Sequence, residues 1–181
     1  MKILKTPIKD LLIIQNVKFD DNRGYFREIL IEKKIKKKFC FNVVSVSKKN
    51  VIRGLHFQVK KPQGKFISVI KGKIVDVAVD LRKNSKTFGR HFKIILSDKN
   101  CTSIYIPEGF AHGFGGLNDE NIIVYSCTNY RHKKSETTLK WDDPDLNIDW
   151  KVKKPILSIK DKSGILLSDI KKNFSHYHKT K

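Results

Sequence analysis

The side chains best suited to moving a proton are gathered in one strand-like run, residues 51–67, VIRGLHFQVKKPQGKFI. His56 stands between Leu55 and Phe57, with Arg53 before it and Lys65 after it. A neutral imidazole can act as a base near neutral pH. Two cations placed this close to it would be costly to bury without an anion. The grouping points to an anionic substrate that must lose a proton. A histidine packed into the core is the plainer alternative at this stage.

Other stretches add possible partners. In IPEGFAHGF (106–114), Pro107, Gly109 and Gly113 predict a tight turn that delivers His112 into the next strand. In YSCTNYRHKKSE (125–136), Tyr125 and Tyr130 are candidates for packing, or for a phenol that donates a proton beside a histidine base. In LSIKDKSG (157–164), Lys160 and Asp161 are expected in a turn. Asp161 could orient an imidazole as the third group of a catalytic arrangement does. Arg23 and Glu28 flank a further turn and strand, with a surface ion pair as the plainer reading.

Short strands must hold these residues. DLLIIQ (10–15), YFREIL (25–30), HFKIIL (91–96), TSIYI (102–106) and IIVYSCT (122–128) read as strands. Val44 and Val46 alternate with Ser45 and Ser47, as in a half-buried strand. KIVDVAVDL has the clearest alternation, Val75, Val77, Val79 and Leu81 against Asp76, Ala78 and Asp80. Lys71-Gly72 predicts a tight turn before it. IEKKIKKK (31–38) predicts a short helix with Ile31 and Ile35 on one side. WDDPDLNIDW (141–150) reads as a loop anchored by two tryptophans, and the tail from about 165 as one helix and a frayed end. Many strands and few helices predict an all-β sandwich or barrel, and a jelly roll suits the length.

At 181 residues one domain spanning 1–181 is expected. No apolar run approaches the ~20 residues of a membrane span, and the N-terminus lacks a signal-peptide core. Cys40, Cys101 and Cys127 have no CxxC spacing and read as free thiols in a reducing cytoplasm. The net charge is +20, from 38 basic and 18 acidic residues. Only six of the 38 are arginine, and the lysines are spread along the chain. That favours a solvated lysine surface over a nucleic-acid footprint.

RGLHFQ (53–58), DVAVDLRKNSKTFG (76–89), IPEGFAHGF (106–114), CTNY (127–130), WDDPDLNIDW (141–150) and LSIKDKSG (157–164) together resemble the dTDP-4-dehydrorhamnose 3,5-epimerase family. The likeness runs from about residue 20 to 170. It implies a cupin jelly-roll dimer that uses no cofactor and acts on a nucleotide-diphosphate-linked 4-keto-6-deoxy sugar. It also implies roles for residues. His56 and Asp161 match the base dyad, Tyr125 the acid, and Lys65 the lysine that stabilises the enolate. Arg53, His112, Lys160 and Glu136 match substrate contacts, and Tyr130 an aromatic near the sugar. Phe26 matches a further substrate contact. Arg23 and Glu28 match contacts lent to the nucleotide end by a partner subunit.

The same resemblance frames the alternatives. Pro107, Gly109 and His112 are similar to the second metal motif of cupins, but His56-Phe57-Gln58 offers one imidazole where the first motif needs two. A metal-free site is expected. Relatives carry Gln and Asn where Phe41 and Val43 stand, before Ser45 and Ser47. That departure keeps a GDP-linked heptose, as handled by some relatives in capsule pathways, beside the dTDP-linked hexose. A single-centre epimerase, a 3,4-ketoisomerase and an inactive nucleotide-sugar-binding cupin are the other readings.

Overall fold

The computed structural model describes residues 1–173. The chain opens with β1 (Lys2–Lys5), β2 (Leu12–Gln15), β3 (Lys18–Asp21) and β4 (Gly24–Arg27). After the one-turn helix α1 (Glu32–Ile35) come β5 (Phe41–Lys48), β6 (Ile52–Gln58), β7 (Lys65–Lys71) and β8 (Lys73–Asp80). Then follow β9 (His91–Ser97), β10 (Thr102–Ile106), β11 (Phe110–Gly116), β12 (Glu120–Cys127) and β13 (Glu136–Thr138). The helices α2 (Ile159–Lys162) and α3 (Leu167–Lys172) close the described chain. β1, β3 and β13 have four residues or fewer, too short for the alternation to announce them.

The strands form two antiparallel sheets, ordered β1-β2-β10-β7-β12-β5 and β13-β6-β11-β8-β9, with β3 and β4 as a separate hairpin. This is the expected all-β jelly roll. Ile67, Val69, Ile104 and Ile123 of the first sheet share a buried cluster with Ile74, Ala78 and Phe114 of the second. That shared apolar layer is the main adhesive between the sheets.

The alternation in β8 has a different outcome from the half-wet strand it suggests. Val75, Val77 and Val79 pack under Leu139, Leu146, Trp150, Leu167 and Ile170 of the C-terminal segment. The other face, carrying Asp76 and Asp80, then turns into the sandwich, and both aspartates are fully buried. Trp150 is fixed by an indole N–H donated to the Trp141 carbonyl at 2.8 Å. The helix expected after about 165 is α3, which packs through buried Leu167 and Ile170. Most of the polar tail, residues 174–181, lies outside the described residues.

β5 is an edge strand and inverts the usual pattern: Val44 and Val46 are exposed and Ser47 is buried. Gly113 is not part of the turn expected at 107–113; it lies in the middle of β11. A Cβ on Gly113 would stand 2.7 Å from the Arg53 carbonyl oxygen, so its absence lets β11 close against β6. Lys160 and Asp161 lie in the one-turn helix α2 rather than in a bare turn.

Candidate active site

β6 runs antiparallel to β11 with His56 opposite His112, so both imidazoles belong to one sheet. The other sheet brings Tyr125 on β12 and Lys65 on β7, where Lys65 is opposite Cys127. All four side chains line one pocket of about 1100 Å³ between the sheets. Arg53, Glu136, Lys160 and Asp161 line it as well.

Nε2 of His56 lies 2.6 Å from Oδ1 of Asp161. Ser158 donates its hydroxyl to Oδ2 at 2.6 Å, and the Gly54 amide donates to Oδ1 at 3.3 Å. Burial resists charge on Asp161, but these hydrogen bonds outweigh it and hold the carboxyl below its ordinary value. An ionised carboxylate can only accept, so Nε2 of His56 carries the hydrogen. The lone pair of the neutral ring is then on Nδ1.

A second pair lies beside the first. Nε2 of His112 is 2.9 Å from Oδ2 of Asp76. Burial pulls His112 below its ordinary value, against the upward pull of Asp76. Oδ1 of Asp76 is buried and makes no hydrogen bond among the described residues. Burial also lowers Lys65, against Cys127, Glu136 and Asp76. It raises Tyr125, which keeps the phenol protonated and able to donate. The Tyr125 ring meets the His112 ring edge-on at 6.0 Å.

Arg53 crosses from β6 to β5, donating to Ser47 Oγ at 2.9 Å and to the Val46 carbonyl at 3.3 Å. No carboxylate among the described residues pairs with it, so its charge is available to an anion. Glu136 is clamped by Lys160 Nζ at 2.6 Å and Arg131 Nε at 2.8 Å. Burial resists its charge, and the two cations win and hold its carboxyl low.

The remaining candidates stand apart from this pocket. Tyr130 is 67% exposed and packs on Phe41, ring centroids 6.0 Å apart, without lining the cavity. Arg23, Phe26 and Glu28 are exposed on or just after the β3–β4 hairpin and do not line it either. Arg23 pairs with Asp21 at 2.6 Å rather than with Glu28, because the turn folds it back on its own hairpin. Among the described residues no group of three or more His, Cys, Asp and Glu side chains is arranged to hold a metal.

Reading the sequence for site residues missed Asp76 and Arg131. The signal for Asp76 was an aspartate alternating with valines in a strand. The sequence does not say which face looks inward.

A family model described as dTDP-4-dehydrorhamnose 3,5-epimerase matches residues 5–169. The dTDP-4-dehydrorhamnose 3,5-epimerase of Methanothermobacter thermautotrophicus is 47% identical over 154 residues, covering 82% of this chain and 83% of that protein. The crystal structure of a dTDP-6-deoxy-D-glucose-3,5-epimerase from Legionella pneumophila, in complex with dTDP-4-keto-L-rhamnose, superposes with a TM-score of 0.93 at 38% identity. It covers 99% of this chain and 98% of its own. A 3′-monoepimerase from Streptomyces bikiniensis in complex with dTDP-quinovose gives 0.86 at 26% identity, over 92% of this chain and 88% of its own.

Proposed function

The chain belongs to the dTDP-4-dehydrorhamnose 3,5-epimerase family, and from that premise we propose that His56, Asp161, Lys65 and Tyr125 carry out its reaction. The protein is an isomerase, an epimerase of a nucleotide-diphosphate-linked 4-keto-6-deoxy sugar. The C4 ketone acidifies the protons on C3 and C5. Nδ1 of His56 removes one of them, and the electron pair of the broken C–H bond moves to the ketone oxygen as an enolate. Lys65 faces the charge that develops there. Tyr125 returns a proton to the same carbon from the other face, which inverts the centre. Asp161 holds the His56 tautomer and stabilises the imidazolium.

One observation carries this reading. The free ring nitrogen of His56 and the partly buried phenol of Tyr125 come from opposing sheets and line the same pocket. An inversion needs its acid and base on opposite sides of one carbon. Arg53, His112, Lys160 and Glu136 bind the substrate in this account, and Arg53 is the anchor for the diphosphate.

We also propose a homodimer. Phe19, Tyr25 and Phe26 on the hairpin and Val44 and Val46 on edge strand β5 expose apolar area that a second copy would cover. Arg23, Phe26 and Glu28 would then serve the neighbouring pocket, and Tyr130 would border the bound sugar nucleotide at the rim. The whole chain acts as one domain. Its thiols are unpaired, which suits the cytoplasm.

The test is solvent-deuterium exchange followed by proton NMR. Two exchanged positions identify a 3,5-epimerase, one a single-centre enzyme, and a migrated ketone a ketoisomerase. His56→Asn should abolish exchange at C3 and C5, and exchange at the wild-type rate would remove His56 as the base. A dTDP-linked 4-keto-6-deoxyhexose is run beside a GDP-linked 4-keto-heptose, because Phe41 and Val43 depart from the family pattern in a pocket-lining strand.

A further inference from the structure

Asp161 has two carboxylate oxygens and His56 uses one of them. The other is taken by a residue that the reaction has not yet needed. Ser158 precedes α2 as its N-cap, in a Ser-x-x-Asp pattern that puts Asp161 at the third helical position. The usual capping box is reciprocal: the N-cap oxygen accepts from the third amide, and the third side chain reaches back to the N-cap amide. Half of that arrangement is present, since the Asp161 amide donates to Ser158 Oγ at 3.2 Å. The other half is diverted. Asp161 accepts the Ser158 hydroxyl at 2.6 Å instead of the backbone amide.

A serine hydroxyl has one hydrogen and two lone pairs. Here its hydrogen goes to Oδ2 and a lone pair takes the Asp161 amide, so both its orientation and that of the carboxylate are set. Oδ1 is left to His56 and the Gly54 amide. Asp161 and His56 are 105 residues apart in the chain, and α2 is a single turn. Without a local brace, the buried carboxylate could rotate away from the imidazole.

We propose that Ser158 is a positioning residue for the epimerisation, acting through Asp161 to hold His56 in the tautomer and direction that expose Nδ1. The proposal rests on His56 being the base. It predicts more than a cap does. Loss of the hydroxyl should slow proton abstraction itself, lowering deuterium wash-in and inversion together with little change in KM. The dyad also loses a donor that favours its ionised carboxylate, so it takes up a proton at higher pH. The acid limb of kcat should shift upward with it.

The experiment compares Ser158→Ala, Ser158→Thr and Ser163→Ala in the full chain. Ser163 bonds the Lys160 carbonyl at the other end of the same turn without touching Asp161. Ser158→Ala should lose about tenfold in kcat, the scale of one hydrogen bond lost from the transition state, with the acid limb moved up. Ser158→Thr should restore both, and Ser163→Ala should match wild type. A wild-type kcat and pH profile in folded Ser158→Ala would overturn the proposal. So would an equal loss in Ser163→Ala, which would trace the effect to the turn rather than the hydroxyl. His56→Asn, measured in parallel, separates the two levels. If it abolishes exchange while folded Ser158→Ala exchanges at the wild-type rate, Ser158 alone is excluded. If it leaves exchange intact, the base assignment fails first.

Discussion

The pocket holds two histidine–aspartate pairs of the same composition in different surroundings. In the first, the His56 side chain is 27% exposed to the cavity and Asp161 is 5% exposed. In the second, His112 and Asp76 are 5% and 0% exposed. Their origins differ as well. His112 and Asp76 come from the neighbouring strands β11 and β8, whose ladder fixes them. His56 sits on β6, and its aspartate arrives from a one-turn helix more than a hundred residues later. A base must meet a substrate proton and later release it, which needs access. A buried pair can hold a fixed donor or acceptor in place but exchanges protons poorly. Under the proposed mechanism, proton transfer falls to the pair from distant segments and geometry to the pair built into the sheet.

Activity measurements should show the largest effects at the first pair. His56→Asn should lower exchange at C3 and C5 by about 10³-fold or more, the scale of a positioned general base. His112→Asn should cost much less in exchange and show mainly as a raised KM. The comparison fails if the two variants are equally inactive in single-turnover exchange. Tyr125→Phe sharpens it from the other sheet. It should lose about 10²-fold in inversion while wash-in at the abstracted position continues, because His56 can still remove and return a proton on one face. A parallel loss of both would mean that the phenol is needed for abstraction too.

Stability should rank the pairs in the opposite order. Asp76→Ala leaves a fully buried imidazole without its partner, at a cost of about 1–3 kcal/mol. Asp161→Ala leaves His56 facing a cavity where water can replace the carboxylate, and should cost the fold less. Urea midpoints at neutral pH test this. A larger loss in Asp161→Ala would show that the C-terminal tether, not the central pair, holds the sandwich.

The same contrast explains what the sequence could disclose. Strand alternation gave the sheets, and the composition and punctuation gave the all-β class. His56, Arg53 and Lys65 stood out because they share one short run. Asp161 needed the family resemblance, since a turn-like Lys-Asp pair carries no sign of which distant histidine it will meet. Asp76 was visible as a residue but not as a buried one. Its strand buries both faces because the segment from Leu139 to Ile170 wraps the outer sheet, a tertiary fact absent from the local pattern. β5 is the half-buried strand expected, but Val44 and Val46 face outward and Ser45 and Ser47 inward, which the alternation alone does not say. The proposed dimer would account for this inversion, since a second copy would cover Val44 and Val46.

The smallest expected effect is a difference in slope. Burial holds folded His112 below its ordinary 6.5. Between the folded value and 6.5 the unfolded chain binds a proton that the folded chain does not. Stability from this group is therefore complete above about 6.5 and is lost as the pH falls toward the folded value, by at most about 1.4 kcal/mol per pH unit for one proton. His112→Gln keeps an amide that can donate to Asp76 but has nothing to titrate. His91, lowered by its own burial and by Lys93, follows the same sign and remains as background in both proteins. Urea midpoints followed from about pH 7 to about pH 5 should fall more steeply in the wild type than in His112→Gln. Equal slopes would mean that His112 gains its proton as easily in the folded chain as in the unfolded one. The second pair would then not be sealed, and either histidine could serve as the base.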